Sequence, residues 1–422
     1  MSCTIEKSTL SGTLTIPPSK SHTHRALLFA LLADGTSIID NFLDSPDISA
    51  MIDAVWALGG EVKQVGRSLH VTGTGGKLRA PTSPIDAKNS GIILRFIGGL
   101  AALSDVPITI TGDHSIQTRR PVLPLLEGLK ELGAEAISLR NNAYAPIQVC
   151  GPLRSGSCTI EGADSQPVSA LLIAAAFSKG PFDLHVTNPG EKPWIDLTLS
   201  WFDFLGIPYT NRSYTHYTIP GGATLSPFTF TVPGDFSTLT FPVAAALITN
   251  SPLRIEGVVM NDVQGDKKFL SMIQEMGAVF AVEKTTLIVK KPPPLQGKTF
   301  DINESIDSLP ILAVLGCFSE GETHLTNGEI ARKKECDRID AICRELKKMG
   351  ADIQEREDGL IVKKSKLKGA LLETYNDHRI AMALSVAAMG AEGPSTLRGI
   401  ATVSKTYPHF YDDMKQLGAK IT

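Results

Sequence analysis

The stretch Cys336-Asp337-Arg338-Ile339-Asp340-Ala341-Ile342-Cys343, which leads through Glu345-Leu346 into Met349-Gly350-Ala351, has the pattern of an amphipathic helix that ends at a glycine. Its apolar residues recur at intervals of three and four, which places them on one helix face. Gly350 suits the left-handed backbone position just past a helix end. Because Ala351-Asp352-Ile353 can continue as an extended segment, the stretch predicts a helix followed by a strand.

The same glycine phrase occurs six times, at intervals of about 70 residues. The phrases are Leu58-Gly59-Gly60, Leu132-Gly133-Ala134, Leu205-Gly206-Ile207, Met276-Gly277-Ala278, Met349-Gly350-Ala351 and Leu417-Gly418-Ala419. A helical pattern precedes each of them. Self-similarity at a fixed interval indicates one structural unit repeated along the chain.

A second series alternates with the first and consists of polar turns that open almost wholly apolar helices. These helices start near Ser21, Ser90, Ser165, Ser237, Ser308 and Asp377. A helix that is apolar on nearly all sides is buried. Each repeat therefore contains a buried helix, an amphipathic helix and strands between them, so the sequence predicts an α/β protein of six units.

Two punctuated stretches, Pro17-Pro18 and Val232-Pro233-Gly234-Asp235, enclose three of the six repeats. If the chain crosses between domains there, domain I comprises residues 1–17 plus 234–422 and domain II comprises residues 18–233. The first strand, Thr13 to Ile16, then belongs with the C-terminal half. The alternative is a single ring of six units in which these prolines only bound helices.

Composition excludes several classes of function. The chain has 422 residues, 42% of them hydrophobic and 20% charged, with a formal net charge of −3, so nucleic acid is not expected as a partner. The six cysteines form no C-x-x-C pair, which predicts neither disulfides nor a zinc site and fits a reducing cytoplasm. No signal peptide and no membrane-spanning stretch is apparent.

The starts of the buried helices are candidate anion sites, because a helix N-terminus exposes unpaired N–H groups and carries partial positive charge. The chain has neither a G-x-x-x-x-G-K-[ST] nor a G-x-G-x-x-G motif. Gly73-Thr74-Gly75-Gly76-Lys77 fails both spacings. We therefore expect phosphates other than those of ATP or NAD.

Four motifs in the first half of the chain place cations and polar groups at helix starts. Lys20-Ser21 with Arg25 follows Pro17-Pro18 and suits a phosphate or a carboxylate. The others are Lys88-Asn89-Ser90-Gly91 with Arg95, Gln117-Thr118-Arg119-Arg120-Pro121, and Asp164-Ser165-Gln166. Pro121 can occupy the first turn of a helix. Each motif alone is also compatible with an ordinary cap or a solvated basic turn.

Four further motifs lie in the second half. Asp307 precedes a buried helix and is either a cap, which the sequence alone favours, or a base with a raised pKa. Lys334 and Arg338 are predicted one turn apart on one helix face, with Glu335 and Asp337 beside them to orient them or move protons. The last two motifs are Asn376-Asp377-His378-Arg379 and Ser404-Lys405-Thr406-Tyr407-Pro408. Together, the eight motifs predict a site for several anionic groups.

At these residues the chain resembles the enolpyruvyl transferase family, in the branch whose acceptor is 3-phosphoshikimate. The matching motifs follow in order over nearly the whole length. They are Lys20-Ser21 with Arg25, Asn89-Ser90-Gly91, Arg120-Pro121, Ser165-Gln166, Asp235, Asp307, Lys334-Glu335 with Asp337-Arg338, Asn376-Asp377-His378-Arg379 and Lys405-Thr406. The resemblance implies a two-domain inside-out α/β barrel of six βαβαββ repeats, with substrates bound between domains that close and exclude water.

The resemblance also implies the reaction. The 5-hydroxyl of 3-phosphoshikimate adds to C2 of phosphoenolpyruvate while C3 gains a proton, and the adduct then loses phosphate, with no metal or cofactor. The implied catalytic residues are Asp307, Glu335, Lys20 and Lys405. Those for 3-phosphoshikimate are Lys20, Ser21, Arg25, Asp164, Ser165, Gln166, Asp307 and Lys334. Those for phosphoenolpyruvate are Lys20, Gly91, Arg120, Gln166, Arg338, Arg379 and Lys405. Members of this type are glyphosate targets, and a monomer is expected.

Some positions depart from the family pattern. Asp164 and Glu191 stand where members carry phosphate-binding serines, and Trp194 replaces a tyrosine. Two acids should repel a dianion unless Lys192 or another cation compensates, which predicts a weaker or rearranged phosphate site. Ile92 replaces a common threonine and leaves glyphosate sensitivity open.

Three other functions compete. The sister transferase that acts on UDP-N-acetylglucosamine carries a reactive cysteine before its Arg-Pro motif, whereas residues 111–121 contain none here. A non-catalytic paralog that only binds phosphorylated metabolites would not need the acids Asp307 and Glu335 with the lysines Lys20 and Lys405. RNA-cyclase-like chemistry on a related fold is disfavoured because the chain has no excess of basic residues.

Overall fold

The computed structural model describes residues 1–291 and 293–422. The chain divides into two compact units. The discontinuous unit comprises Met1–Pro17 and Pro233–Thr422, and the continuous unit comprises Pro18–Val232. No helix within the described residues has both the length and the apolar character needed to cross a membrane.

Strands and helices are interspersed along the described residues. The strands are β1 (Ser2–Glu6), β2 (Gly12–Thr15), β3 (Thr36–Asp40), β4 (Glu61–Val65), β5 (Ser68–Thr72), β6 (Ile85–Asp86), β7 (Ile108–Thr111), β8 (Glu135–Ser138), β9 (Ile147–Cys150), β10 (Gly156–Glu161), β11 (Phe182–Thr187), β12 (Thr210–Arg212), β13 (His216–Ile219), β14 (Thr229–Thr231), β15 (Leu253–Glu256), β16 (Phe280–Glu283), β17 (Thr286–Val289), β18 (Thr299–Asp301), β19 (Glu322–Thr326), β20 (Ile353–Arg356), β21 (Gly359–Lys363), β22 (Leu371–Glu373), β23 (Ser395–Arg398) and β24 (Lys420–Ile421). The α-helices are α1 (Lys20–Leu32), α2 (Pro46–Ala57), α3 (Gly91–Leu100), α4 (His114–Thr118), α5 (Leu123–Glu131), α6 (Ser165–Phe177), α7 (Lys192–Leu205), α8 (Phe236–Ile248), α9 (Lys268–Glu275), α10 (Leu309–Cys317), α11 (Arg338–Lys348), α12 (His378–Gly390) and α13 (Phe410–Gln416). Short 3₁₀ helices cover Ala101–Leu103, Gly265–Lys267, Asn303–Ser308, Glu329–Lys333 and Ile400–Lys405.

The strands form four-stranded sheets that share one pattern, in which one edge strand is parallel to its neighbour and the other two neighbouring pairs are antiparallel. The continuous unit contains the sheets β14-β3-β5-β4, β6-β7-β9-β8 and β10-β11-β13-β12. The discontinuous unit contains β16-β17-β15-β2, β18-β19-β21-β20 and β22-β23-β1-β24. The strand predicted at Thr13 to Ile16 is β2, which pairs in parallel with β15. The predicted six-unit α/β repeat is confirmed.

The six predicted apolar helices are present and are buried along nearly their whole length. In the continuous unit they are α1, α3 and α6, and in the discontinuous unit α8, α10 and α12. Each begins within one residue of its predicted start. Helices α3 and α6 approach so closely that a Cβ on Gly99 would lie 2.8 Å from the Ala170 carbonyl oxygen. Each unit therefore has its own core of buried helices.

The six glycines that end the amphipathic helices all have positive φ, as their position predicted. The angles are +98° at Gly59, +89° at Gly133, +69° at Gly206, +101° at Gly277, +88° at Gly350 and +107° at Gly418. One prediction about a helix start is wrong. Helix α5 begins at Leu123, and it is Pro124, not Pro121, that occupies its first turn. The carbonyl of Pro121 instead accepts a hydrogen bond from Arg95 Nη2 at 2.9 Å.

Candidate active site

In the discontinuous unit, Asp307 lies between two buried arginines. Its Oδ1 binds Arg338 Nη1 at 2.5 Å, and its Oδ2 binds Arg379 Nη2 at 3.2 Å. Burial alone would raise the pKa of Asp307, but the charges of Arg379, Arg338 and Lys334 outweigh it and hold that pKa well below its usual range. Asp307 is thus not a helix cap, and the predicted raised pKa is wrong.

Arg338 connects Asp307 to two further acids. Its Nη2 binds Glu335 Oε2 at 2.9 Å and its Nε binds Asp377 Oδ2 at 2.8 Å. Glu335 also accepts from Lys405 Nζ at 2.8 Å. All of these side chains are buried or nearly so, and the result is one continuous network of acids and cations. We call Asp307, Glu335, Arg338, Asp377, Arg379 and Lys405 the acid–cation cluster.

Lys334 lies outside the helix on which it was predicted. Asp337 caps α11 by accepting from the Asp340 N–H at 3.1 Å, so the helix begins only at Arg338. The backbone of Lys334 is extended, and the predicted shared helix face with Arg338 is wrong. Asp337 pairs with Arg332 at 2.8 Å, whereas Glu335 is one of the three acids that bind Arg338.

Arg379 retains hydrogen-bonding capacity inside the protein. Asp307 is its ion-pair partner, and its guanidinium stands 5.9 Å from the Phe241 ring centroid. Among the described residues, its Nε and Nη1 have no hydrogen-bond partner, although the side chain is buried. Buried donors of a cation are costly unless they bind an acceptor, and an anion satisfies them best.

In the continuous unit, the starts of α3 and α6 bring together Gly91, Arg95, Arg120 and Gln166. A Cβ on Gly91 would lie 2.8 Å from Arg95 Nη1, 2.9 Å from Arg120 Nη1 and 3.3 Å from Gln166 Oε1. Arg95 Nη1 donates to Gln166 Oε1 at 2.9 Å. Any residue larger than glycine would therefore have to displace the guanidinium groups of Arg95 and Arg120.

Asp164 has a cation partner, which is Arg95. Its Oδ2 binds Arg95 Nη2 at 2.9 Å, while its Oδ1 caps α6 at the Gln166 N–H at 3.0 Å. Of the predicted alternatives, Lys192 or another cation, the structure has another cation at Asp164, and Lys192 Nζ lies 5.6 Å from the ring centroid of Tyr214. Arg95 is thus the cation that compensates Asp164.

Arg25 is a buried cation held by neutral acceptors. Its Nε and Nη2 donate to Thr198 Oγ1 at 3.0 and 2.9 Å, and its Nη1 and Nη2 donate to the carbonyls of Ser21 and Trp194 at 3.2 Å each. Among the described residues, no carboxylate pairs with it. Burial lowers the pKa of Arg25 to about 9. A buried guanidinium that has no carboxylate partner is a strong candidate for binding an anionic ligand.

The predicted phosphate ligands Ser21 and Ser165 both lie at helix starts. Ser21 is the second residue of α1, one turn before Arg25. Ser165 opens α6, and its N–H and hydroxyl both donate to Glu191 Oε2, at 3.1 and 3.2 Å. Lys20 opens α1 and pairs with Asp47 at 3.5 Å, and Asp47 also binds His24 Nε2 at 3.0 Å.

Sequence reasoning did not assign a site role to Arg95, Asp377 or Asp47. Arg95 and Asp377 lie within predicted motifs, but their sequence pattern is that of a helix body and a helix cap. Asp47 follows Ser45-Pro46, which is a signal for a helix start, and only the fold places it beside Lys20. Within residues 1–291 and 293–422, no group of three or more His, Cys, Asp or Glu side chains is arranged to hold a metal ion.

Comparison with known proteins identifies relatives over the full length. The family model described as EPSP synthase (3-phosphoshikimate 1-carboxyvinyltransferase) matches residues 5–414. The 3-phosphoshikimate 1-carboxyvinyltransferase of Chlamydia caviae is 44% identical over 420 residues, covering 99% of this chain and 94% of that protein. The protein of the same name from Acetivibrio thermocellus is 42% identical over 418 residues, covering 99% and 98%.

Solved structures give the same result. EPSP synthase from Acinetobacter baumannii matches with a TM-score of 0.84 at 26% identity, over 100% of this chain and 99% of that chain. The enolpyruvyl transferase NikO from Streptomyces tendae matches with a TM-score of 0.80 at 19% identity, over 100% and 98%, and this likeness concerns the fold alone. The predicted two-domain inside-out α/β fold class is confirmed. The chain belongs to the EPSP synthase family of 3-phosphoshikimate 1-carboxyvinyltransferases.

Proposed function

We propose that the chain carries out the reaction of its family with two groups of charged side chains, one in each compact unit. The reaction moves the enolpyruvyl group of phosphoenolpyruvate to the 5-hydroxyl of 3-phosphoshikimate and releases phosphate, within the shikimate pathway of aromatic amino acid biosynthesis. One observation carries the proposal, namely that two acids, Asp307 and Glu335, bind the same buried guanidinium of Arg338. Addition followed by elimination needs one group that accepts a proton and one that delivers it.

Phosphoenolpyruvate is the ligand proposed for Arg338, Arg379 and Lys405, together with Lys20, Gly91, Arg120 and Gln166 of the continuous unit. The support is the buried donors of Arg379, which suit a carboxylate or a phosphate. Gly91 adds to it, because a residue without a side chain leaves Arg120 and Gln166 accessible to a ligand. Small anions bound by several arginines are held in one orientation.

The 3-phosphate of the acceptor is proposed to bind Arg25, Ser21 and Ser165. The support is the absence of a carboxylate partner for Arg25 among the described residues, and the N–H and hydroxyl of Ser165 at the start of α6. Lys20, Asp164, Gln166, Asp307 and Lys334 are proposed to contact the rest of the acceptor. Thr198, which orders Arg25, is a positioning residue.

Asp307 is proposed as the base for the 5-hydroxyl, and Glu335, with Lys405 or Lys20, as the source of the proton for C3. Two arginines hold the pKa of Asp307 low. When those guanidinium groups bind an anionic ligand as well, part of their charge is neutralised, and the basicity of Asp307 rises toward that of a useful base. The Glu335–Lys405 contact of 2.8 Å provides a direct path for proton transfer between them.

The test is a phosphate-release assay with phosphoenolpyruvate and each candidate acceptor. We expect release with 3-phosphoshikimate and none with UDP-N-acetylglucosamine. Release with the UDP-sugar alone would show the sister activity, and release with neither would show a non-catalytic binding protein. Nucleic acid is not proposed as a partner, and we propose that the protein is a cytoplasmic monomer whose two compact units are its two domains.

A further inference from the structure

At the start of α6, the carboxylate of Glu191, a side chain of the protein itself, binds the N-terminal donors of the helix. Glu191 Oε2 accepts from both the N–H and the hydroxyl of Ser165, at 3.1 and 3.2 Å. Both side chains are buried, Glu191 being 2% exposed and Ser165 3%. An N–H at a helix start is a group to which a phosphate oxygen would bind. The carboxylate of Glu191 therefore uses the same donors that a phosphate needs.

The backbone around Glu191 points it toward this position. Glu191 has a φ of +45°, a left-handed conformation that is uncommon for a residue with a side chain, and it immediately precedes α7. Helix α7 also supplies Thr198, whose hydroxyl donates to Ser169 Oγ at 3.0 Å. Ser169 lies one turn after Ser165 on the same face of α6. Glu191 is thus fixed against α6 by the same helix that orders Arg25.

The anion is not shared with Arg25. Arg25 binds Thr198 and two carbonyls, and in the part of the chain that the structure describes none of its hydrogen bonds or ion pairs is to Glu191. A second anion can therefore satisfy Arg25. At Ser165, however, a phosphate oxygen and the Glu191 carboxylate would accept from the same N–H and hydroxyl. Two negative charges at so short a distance repel each other.

We propose that Glu191 is an internal competitor for the 3-phosphate of the acceptor, a residue that sets the specificity of this site by occupying the donors of Ser165. This inference rests on the proposed function, which places the phosphate at Ser165 and Arg25. Binding of 3-phosphoshikimate displaces the Glu191 carboxylate from Ser165. The affinity of the protein for 3-phosphoshikimate is therefore lower than it would be with a neutral side chain at position 191.

The experiment compares Glu191→Gln with the unchanged full-length protein. Glutamine keeps the length of the side chain and an acceptor oxygen, but it carries no charge. We expect the dissociation constant of 3-phosphoshikimate, measured by calorimetry, and its KM to fall by about fivefold to tenfold, because a charged competitor is removed. The affinity for shikimate, which lacks the phosphate, should not change. Glu161→Gln, at an exposed acid two residues before Ala163, is the matched control and should change neither.

A second variant keeps the test valid if Glu191→Gln does not fold. Glu191→Asn is also neutral, and asparagine tolerates a left-handed backbone better than most residues. It should tighten 3-phosphoshikimate binding in the same direction. Unchanged or weaker binding in folded variants of both kinds would overturn the inference while leaving the proposed function intact. Failure of the unchanged protein to bind 3-phosphoshikimate or to release phosphate would instead defeat the proposed function, and the inference with it.

Discussion

The buried Asp266 and the partly buried Asp307 are interacting acids whose pKa values are displaced in opposite directions. Asp307 binds two arginines, which hold its pKa low. Asp266 Oδ1 accepts from the hydroxyl groups of Ser305 at 2.9 Å and Ser308 at 3.1 Å. Burial, and then the charge of Asp307, raises the pKa of Asp266 to about 6. Opposite displacements of this kind distinguish an acid that stays ionised from one that takes up a proton near neutral pH.

Asp266 gives a prediction about stability and pH. Its pKa is about 6 in the folded protein and about 4 when unfolded, so the folded state binds the proton more tightly. Stability should therefore fall as pH rises from about 4 through about 6. Asp266→Asn keeps an acceptor oxygen for both serine hydroxyls and removes this pH-dependent loss of stability. We expect the melting temperature of the variant, relative to the unchanged protein, to rise by roughly 4 °C between pH 5 and pH 7.

Thermal unfolding followed by circular dichroism at both pH values provides the measurement. Asp301→Asn, at an exposed acid, is the control and should follow the unchanged protein. If the melting temperatures of Asp266→Asn and the unchanged protein depended equally on pH, Asp266 would not take up a proton in this pH range.

Glu335 gives a prediction about catalysis. It contacts Lys405 and Arg338 at 2.8 and 2.9 Å, so glutamine can keep part of this hydrogen bonding but cannot transfer a proton. We expect Glu335→Gln to lower kcat by about 10²–10⁴-fold, the usual range for loss of a general acid or base. The KM for 3-phosphoshikimate should change far less. Single-turnover kinetics should show the loss in the chemical step.

The exposed Glu329 lies in the 3₁₀ helix just before this segment, and Glu329→Gln is the matched control. If kcat were retained in Glu335→Gln, Glu335 would only orient Arg338, and the proton would have to come from Lys405 or Lys20.

At the scale of the element, helix starts combine two tasks that are usually separate. Asp377 caps α12, with Oδ1 accepting from the Arg379 N–H at 2.8 Å and the Ile380 N–H at 3.4 Å. Its Oδ2 binds Arg338 Nε at 2.8 Å, which lies at the first position of α11. One carboxylate thus links the starts of two helices. The geometry of the acid–cation cluster therefore depends on how α11 and α12 pack.

Asp377 gives a prediction that separates these two tasks. Asp377→Asn keeps the cap, since asparagine caps helices as well as aspartate does, but it places an NH₂ or a neutral oxygen opposite Arg338. We expect the KM for phosphoenolpyruvate to rise about tenfold or more, with a small loss of stability, because Arg338 loses a charged partner. Asp377→Ala should add about 1 kcal/mol of destabilisation through loss of the cap. Steady-state kinetics and urea unfolding provide both measurements. Equal KM values in Asp377→Asn and the unchanged protein would exclude a role in orienting Arg338.

At the scale of the whole molecule, local sequence patterns predicted the helices and strands, whereas tertiary contacts determined which charged side chains pair. The six glycines and six apolar helices were predictable because periodicity and left-handed backbone positions are local properties. The pairing of Arg95 with Asp164 was not, because a sequence that contains many acids does not indicate which of them the fold brings near. Lys334 was misplaced for a related reason. Asp337 caps the helix at its N-terminus, so the helix begins later than predicted, and the cap and the charge motif overlap there.

The order of strands along the chain makes one unit continuous and the other discontinuous. Strand β2 precedes the continuous unit but pairs with β15, and β14 ends the continuous unit and pairs with β3. Residues Pro18–Val232 therefore contain every strand of their three sheets. A segment that includes its own core helices and all its strands has the contacts needed to fold alone.

This arrangement predicts that a fragment of residues 18–232 folds independently and unfolds cooperatively, and that its last strand matters. A fragment of residues 18–226 lacks β14, so β3 loses its parallel partner and Trp201 loses the Phe230 ring, whose centroid lies 4.3 Å away. We expect the melting temperature of the shorter fragment to be lower by roughly 5 °C or more. Thermal unfolding monitored by tryptophan fluorescence and circular dichroism tests both statements. Equal melting temperatures would show that β14 contributes nothing to this unit, and a non-cooperative transition in residues 18–232 would show that the unit needs the rest of the chain.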